Sequence, residues 1–314
     1  RDRLRSRGLG DVYKRQESSV SPSSVTFYIN NDDSEVADKM NSVTYDVAFL
    51  SSSQFSSIEN KKDLNSVAVQ NVTYSFIFNQ NDNNYRNKNM RLAFCRSCDT
   101  SSLFDSQSDI SKADGIVPPS CKIGGEDYRN GNAAELLSYD ETLAKKNFND
   151  ALLDLGSSSV ETTILCTEQY EPFVKQMVQK LQKTLGVKFV STVKVVSESD
   201  LEAAVNDGNY SVAFYPFKAK SSFAGEIIEG FDQNNIFGYE SDVLSQKIRN
   251  IKNNSGSLEG ERSAVADAEN YLVSEAVIMP VFYENSYFVT SKKTSGIYFY
   301  SSADNVCFIN AKKS

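Results

Sequence analysis

The chain of 314 residues contains no histidine and no tryptophan. Without histidine it lacks the usual general base near neutral pH, the usual partner of a serine or cysteine nucleophile, and the commonest metal ligand. Many enzyme classes are thereby disfavoured, and no cofactor, metal or enzymatic activity is expected. Long apolar runs are missing too. The longest nearly uninterrupted one, AVIMPVFY from Ala276 to Tyr283, falls well short of the ~20 residues that span a bilayer. Five cysteines, at 95, 98, 121, 166 and 307, are too few for a disulfide scaffold, and their odd number leaves at least one outside any intrachain pair. Basic charge is scarce, with 33 Lys/Arg against 41 Asp/Glu. Affinity for nucleic acid comes mostly from cations that neutralise phosphates, so nucleic acid is not an expected partner.

Six of those cations fall within residues 1–16, leaving 27 Lys/Arg against 39 Asp/Glu in the remainder. This basic stretch has neither the apolar run of a signal peptide nor an amphipathic stripe. Its part SRGLGDVYKRQ, Ser6 to Gln16, is what translation of the end of a transposase-based sequencing adapter yields. Residues 1–16 are therefore expected to be foreign and without structure, and the native sequence to begin, truncated, near Glu17.

About 300 residues suggest roughly two domains of ~150. From Ser24 onward, strand and helix patterns alternate. SSVTFYIN reads as a strand, SEVADKMNS as a helix, and TYDVAFL as a strand before the helix-start signal SSSQ. VAVQNVTYSFIFNQ is rich in β-branched and aromatic residues, and MRLAFCRSC is helical. The Pro/Gly-rich segment 109–132 is expected to be irregular. A helix from Asp140 to Leu155 stops at Gly156, and TTILC follows as a strand. The next helix carries Phe173, Val174, Met177, Val178, Leu181 and Leu185 on one face and stops at Gly186. Strand VKFVSTVKVV, helix ESDLEAAVND and strand YSVAFYP complete the pattern. SEVADKMNSVTYDVAFL and SDLEAAVNDGNYSVAFYP share a helix, a turn and Tyr-x-Val-Ala-Phe, an echo that suggests two lobes of similar logic.

Four pieces occur in a telling order. FIFN with YRNKNMRLAF places Phe78, Asn79, Arg91 and Ala93; IVPPS with GGEDYR forms a proline-rich loop; SYDETLAKKNFNDALLDLG places Tyr139, Asp140, Ala144, Leu152 and Gly156; and AENYLVSEAVIMPVFYENSYF closes the series. In this order the chain resembles the extracytoplasmic solute-binding proteins of ABC importers, in the oligopeptide/dipeptide-binding family, over nearly all of residues 24–314. The resemblance implies an α/β, two-lobed periplasmic-binding-protein-like fold, here incomplete because its N-terminal part is missing. It implies a partial first lobe from residues 17–77 and 280–314, and a second lobe from 78–279. It further implies a monomeric, lipid-anchored extracytoplasmic receptor that binds a peptide-like solute between its lobes and delivers it to membrane permease subunits. Strands near 70–79 and 278–285 would serve as hinges.

The ligand-contacting residues implied are Tyr74, Asn79, Tyr215, Phe217, Lys218, Ser221, Ser222, Phe223 and Tyr283. Peptide binders of the family carry, after the strand that here reads YSVAFYP, an acidic residue that pairs with the ligand's ammonium. The loop here is FKAKSSF, without an acid and with Lys218 and Lys220. A buried ammonium without a carboxylate is costly, so this loop suits an anionic group or a carbonyl. A non-peptide solute such as an oligosaccharide or metal chelate, a non-transport surface lipoprotein, and a CxxC oxidoreductase are the competing readings. CRSC at 95–98 follows MRLAF inside a helix rather than opening one, where the dipole would lower a thiol pKa. The thiols are therefore expected to be structural, with a Cys98–Cys121 disulfide left open.

Overall fold

A computed structural model describes residues 20–28, 33–104, 108–232, 235–300 and 305–314. Residues 1–16, expected to be foreign, lie outside the described residues. The chain runs through α1 (Asp33–Asn41), β1 (Val47–Ser51), α2 (Ser52–Ser57), β2 (Leu64–Val69), β3 (Val72–Phe78), α3 (Asn83–Arg86), α4 (Lys88–Ser97), β4 (Ile110–Lys112), β5 (Lys122–Ile123) and β6 (Glu126–Asp127). It continues with α5 (Glu141–Leu155), β7 (Val160–Cys166), α6 (Glu171–Leu185), β8 (Phe189–Val195), α7 (Glu198–Asn206), β9 (Val212–Lys218), α8 (Gly225–Glu229), α9 (Asp242–Asn253), α10 (Leu258–Ser274) and β10 (Ile278–Glu284). Five short strands close it: β11 (Ser286–Ser291), β12 (Thr294–Ser295), β13 (Tyr298–Tyr300), β14 (Asn305–Cys307) and β15 (Lys312–Lys313).

The elements form two compact units, Gln70–Glu284 and the two flanking chain segments. The lobe boundaries expected from the sequence stood at 77/78 and 279/280; the units divide at 69/70 and 284/285. The difference lies in VAVQNVTYSFIFNQ, which forms the end of one strand and the whole of the next. β2 joins β11 in a three-stranded antiparallel sheet of order β1-β11-β2, whereas β3 pairs with β10 and β9 in another sheet. Residues 23–28, expected as a strand, have no strand partner among the described residues; Phe27 lies edge-on to Phe308 and Tyr28 stacks on Tyr45. Alternating β-formers stay a loop where no sheet edge accepts them.

In the Gln70–Glu284 unit a six-stranded sheet runs β4-β10-β3-β9-β7-β8, with β7, β8 and β9 mutually parallel and β3 antiparallel to β9. Alternation along β3 and β9 divides the core. Phe76, Phe78, Val212 and Phe214 face a layer containing α4, α5 and α6, while Ile77 and Ala213 face a layer with α7, α8, α9 and α10. The helices start and stop as their sequences dictate. Asp140 accepts from Leu143 N at the start of α5, and Gly156, at φ 62°, caps its end in the left-handed region. Pro172 opens α6, which buries Val174, Met177, Val178, Leu181 and Leu185. At the tip of the β5–β6 hairpin, Gly124 and Gly125 take φ 59° and 87°, as a two-residue hairpin turn demands.

All five cysteines are free. Cys95 and Cys98 lie in the first core layer and Cys121 in the second, so the Cys98–Cys121 disulfide left open by the sequence does not form: the sheet separates the two thiols. Burial pushes Cys95, Cys98 and Cys121 up to about 12 and Cys166 up to about 11, the reverse of a redox-active thiol. A disulfide-exchange reagent at about pH 8 should therefore titrate only half-buried Cys307 in the native protein, and the other four after denaturation. The pH dependence has a definite sign. Below pH 9 both folded and unfolded thiols keep their protons; above it the unfolded chain releases protons that the folded state retains, so stability falls from about pH 9 to 12. A urea midpoint that does not fall over that range would contradict the burial.

Candidate functional site at the carboxyl-end rim of the six-stranded sheet

Because β7, β8 and β9 are parallel, their carboxyl ends emerge on one side of the sheet, where α/β proteins bind ligands. The same rim holds the start of β3 and the end of β10: Val72 pairs with Lys218, and Thr73 pairs with Phe217 on one side and Tyr283 on the other. Alternation then distributes the rim residues between two faces.

On the first face Tyr74 lies against Tyr170, Phe214 and Phe282, with ring centroids 4.4, 5.6 and 5.0 Å apart. Tyr170, at the end of the turn following β7, is buried, and its hydroxyl donates to Glu284 Oε1 at 3.0 Å while its oxygen receives Gln169 Nε2 at 3.2 Å. Burial first, then the Glu284 carboxylate, pushes the Tyr74 phenol well above its ordinary range; burial, Tyr74 and Glu284 do the same to Tyr170. Both remain neutral donors at any physiological pH. Strand alternation places Lys218 on this face, two residues beyond Pro216.

On the second face Phe217 stacks on Phe231 at 5.7 Å and lies 5.8 Å from Phe237, and half-buried Tyr215 meets Phe217 edge-on. Burial, then Glu202, raises the Tyr215 phenol. The loop after β9 is closely tied. Ser221 N and Oγ both donate to Glu226 Oε2 at 2.7 Å, and Ser221 Oγ accepts from Phe223 N at 3.2 Å. Lys122 N donates to Ser222 O at 2.7 Å, and Ala224 N donates to Lys122 O at 3.1 Å. Ser221 is thus spent on shaping the loop, while the Ser222 side chain is exposed.

The nine residues implied by the resemblance are therefore not one cluster. Tyr74 and Lys218 share the first face; Tyr215, Phe217 and Phe223 belong to the second. Asn79 is at the opposite end of the sheet, because β3 runs antiparallel to β9 and the end of FIFN meets the start of β9. Its buried amide donates to Gly208 O and Tyr210 O, both at 2.8 Å, which fixes the corner before β9. Tyr283 is buried, its hydroxyl accepting from Asp114 N at 3.0 Å beside the Gly115 and Val117 carbonyls. Sequence reasoning missed Tyr170 and Glu284. The rule that drew attention to Tyr215, an aromatic at the exit of a strand, applies equally to CTEQY after β7. Among the described residues no group of three or more Cys, Asp or Glu is arranged to hold a metal ion, and no helix is long and apolar enough to cross a membrane.

The chain matches the family model of bacterial extracellular solute-binding proteins, family 5 Middle, over residues 11–237, a match that begins inside the basic stretch 1–16. It is 23% identical over 232 residues to the dipeptide-binding protein DppE of Bacillus subtilis, covering 71% of this chain and 42% of that one. The substrate-binding domain of an oligopeptide ABC transporter from Bacillus anthracis superposes with a TM-score of 0.74 at 15% identity, covering 95% of this chain and 60% of that one. A peptide-bound OppA from Listeria monocytogenes gives 0.72 at 18% identity, with 95% and 59% covered. The chain thus spans about three fifths or less of these relatives' length. This chain belongs to the bacterial extracellular solute-binding proteins, family 5.

Proposed function

We propose that the protein is the substrate-binding receptor of a peptide ABC importer, holding a short peptide-like solute at the carboxyl-end rim and handing it to permease subunits in the membrane. The observation that supports this most is that rim: parallel strands ending together in aromatic and charged side chains, in a chain of a solute-binding family. No covalent step is involved. The two chain crossings, Val69–Gln70 and Glu284–Asn285, serve as the hinge, and a solute that binds one hinge state better shifts the population toward it. The receptor works as a monomer outside the cytoplasmic membrane, held there by a lipid anchor.

Titration calorimetry of the complete gene product with a pool of tri- to pentapeptides should show binding at micromolar concentration or tighter. Heat from oligosaccharides but none from peptides would favour the second reading, a non-peptide solute, for which the acid-free loop with Lys218 and Lys220 speaks. Lys218→Asp should raise affinity for free-amine peptides relative to N-acetylated ones, because a cation on the first face opposes the ligand ammonium and an anion attracts it. An unchanged ratio would remove Lys218 from ligand selection.

A further inference from the structure

Where asparagine or aspartate precedes glycine, the main chain can attack its own side chain, because glycine leaves the backbone nitrogen open to close approach. The sequence has three such pairs: Asp114–Gly115, Asn130–Gly131 and Asp207–Gly208. The fold withholds two of them. Gly115 is buried, with Arg129 and Glu269 packed where a β-carbon would sit, and Gly208 N is engaged, donating to Val205 O at 3.2 Å. Asn130 and Gly131 are different: both are exposed, and a β-carbon at Gly131 would meet nothing within 4 Å. Among the described residues neither the Asn130 side-chain amide nor Gly131 N has a hydrogen-bond partner. The pair forms the middle of a turn closed by Asn132 N donating to Arg129 O at 3.2 Å. Nucleophile and electrophile are therefore neighbours in the chain, open to water and held by no other protein group.

We propose that Asn130–Gly131 is a self-modification site, at which the Asn130 side chain deamidates through a cyclic imide and leaves aspartate and isoaspartate. Gly131 N gives up its proton to solvent and attacks Asn130 Cγ. The N–Cγ bond forms as the Cγ–Nδ2 bond breaks, and the amide nitrogen takes up a proton and leaves as ammonia. Water then opens the imide at either carbonyl, so the net change consumes water, releases ammonia and oxidises nothing. Opening at Cγ gives aspartate on the original main chain. Opening at the Asn130 backbone carbonyl gives isoaspartate, whose main chain runs through Cβ and Cγ and is longer. This turn positions Arg129: Arg129 Nη1 donates to Asn132 O at 3.2 Å, and Asn132 Nδ2 donates to Tyr128 O at 2.9 Å. Arg129 is the partner of buried Glu269, so the isoaspartate branch loosens a buried ion pair, whereas the aspartate branch only adds an exposed charge.

The full chain is held folded in warm, mildly alkaline buffer, and samples taken over time are digested and read by mass spectrometry. The peptide holding Asn130 should come to carry an acid in place of the amide and resolve into two isomers, one of them a substrate for isoaspartyl methyltransferase. It should convert ahead of the Asn–Ser pairs at Asn41, Asn65 and Asn254, where the following residue carries a side chain that hinders ring closure. Asn130→Gln should abolish the change at this position. No conversion at Asn130 in the folded chain, or conversion that appears only in urea, would overturn the site. The loosening has its own readout. The isoaspartate fraction, separated by chromatography, should unfold at a lower urea concentration than Asn130→Asp, which bears the same charge on an unaltered main chain. Coincident unfolding curves would show that the turn does not hold Arg129 in place.

Discussion

Glu269→Ala is expected to destabilise the Gln70–Glu284 unit by about 3 to 5 kcal/mol, the range for removing one partner of a buried ion pair. Glu269 and Arg129 side chains are only 1% and 8% exposed. The Glu269 carboxylate satisfies five donors: Ile116 N at 2.7 Å, Val117 N at 2.9 Å, Tyr128 Oη at 3.1 Å, Arg129 Nη1 at 2.9 Å, and Arg129 Nη2. Truncation leaves the guanidinium with only the Val117 and Asn132 carbonyls, at 2.8 and 3.2 Å, and orphans two backbone N–H groups. Space is tight enough that a β-carbon at Gly115 would run into both Arg129 and Glu269. The loss should reach the rim, because the same 116–129 segment carries Lys122, which holds the loop after β9 at Ser222 and Ala224. Urea denaturation is the measurement, with Glu269→Gln expected to lose less because an amide still accepts from the backbone. A loss below about 1 kcal/mol for the alanine variant would mean that the network does not organise this segment.

Phe282→Ala should cost a similar amount, about 3 to 5 kcal/mol, for a different reason. Phe282 is fully buried, and its ring meets Tyr74, Tyr170, Phe173 and Phe214 at centroid distances of 5.0, 5.3, 5.2 and 5.5 Å. Its removal opens a cavity among rings borne on β3, β9, α6 and the turn after β7, and rigid aromatics refill such a void poorly. Phe282→Leu retains part of the volume and should lose less. Unfolding curves are the measurement; full stability in Phe282→Ala would show that the aromatic cluster is not a support of the rim.

Local sequence determined the helices and most strands. Asp140 and Gly156 mark the two ends of α5, and the period of Val174, Met177, Val178, Leu181 and Leu185 is the buried face of α6, because caps and amphipathic stripes are properties of a few neighbouring residues. The echoed Tyr-x-Val-Ala-Phe segments were legible for the same reason. Each is a helix followed by a strand, α1 with β1 and α7 with β9, one in each compact unit. The family was legible as well, from four short motifs in order. What the sequence left undetermined is which strand meets which. Gln70 and Asn71 are the only interruption in VAVQNVTYSFIFNQ, yet β2 and β3 go to different sheets, since strand pairing is set by partners far along the chain and not by propensity. The candidate site suffered most from this. The antiparallel entry of β3 sends Asn79 to the far end of the sheet, alternation assigns Lys218 and Phe217 to opposite faces, and a return over 200 residues later brings Glu284 beside Tyr74 and Tyr170. These placements arise from long-range register, which the tertiary structure alone decides, because a shift of one residue along a strand would turn every side chain to the other face.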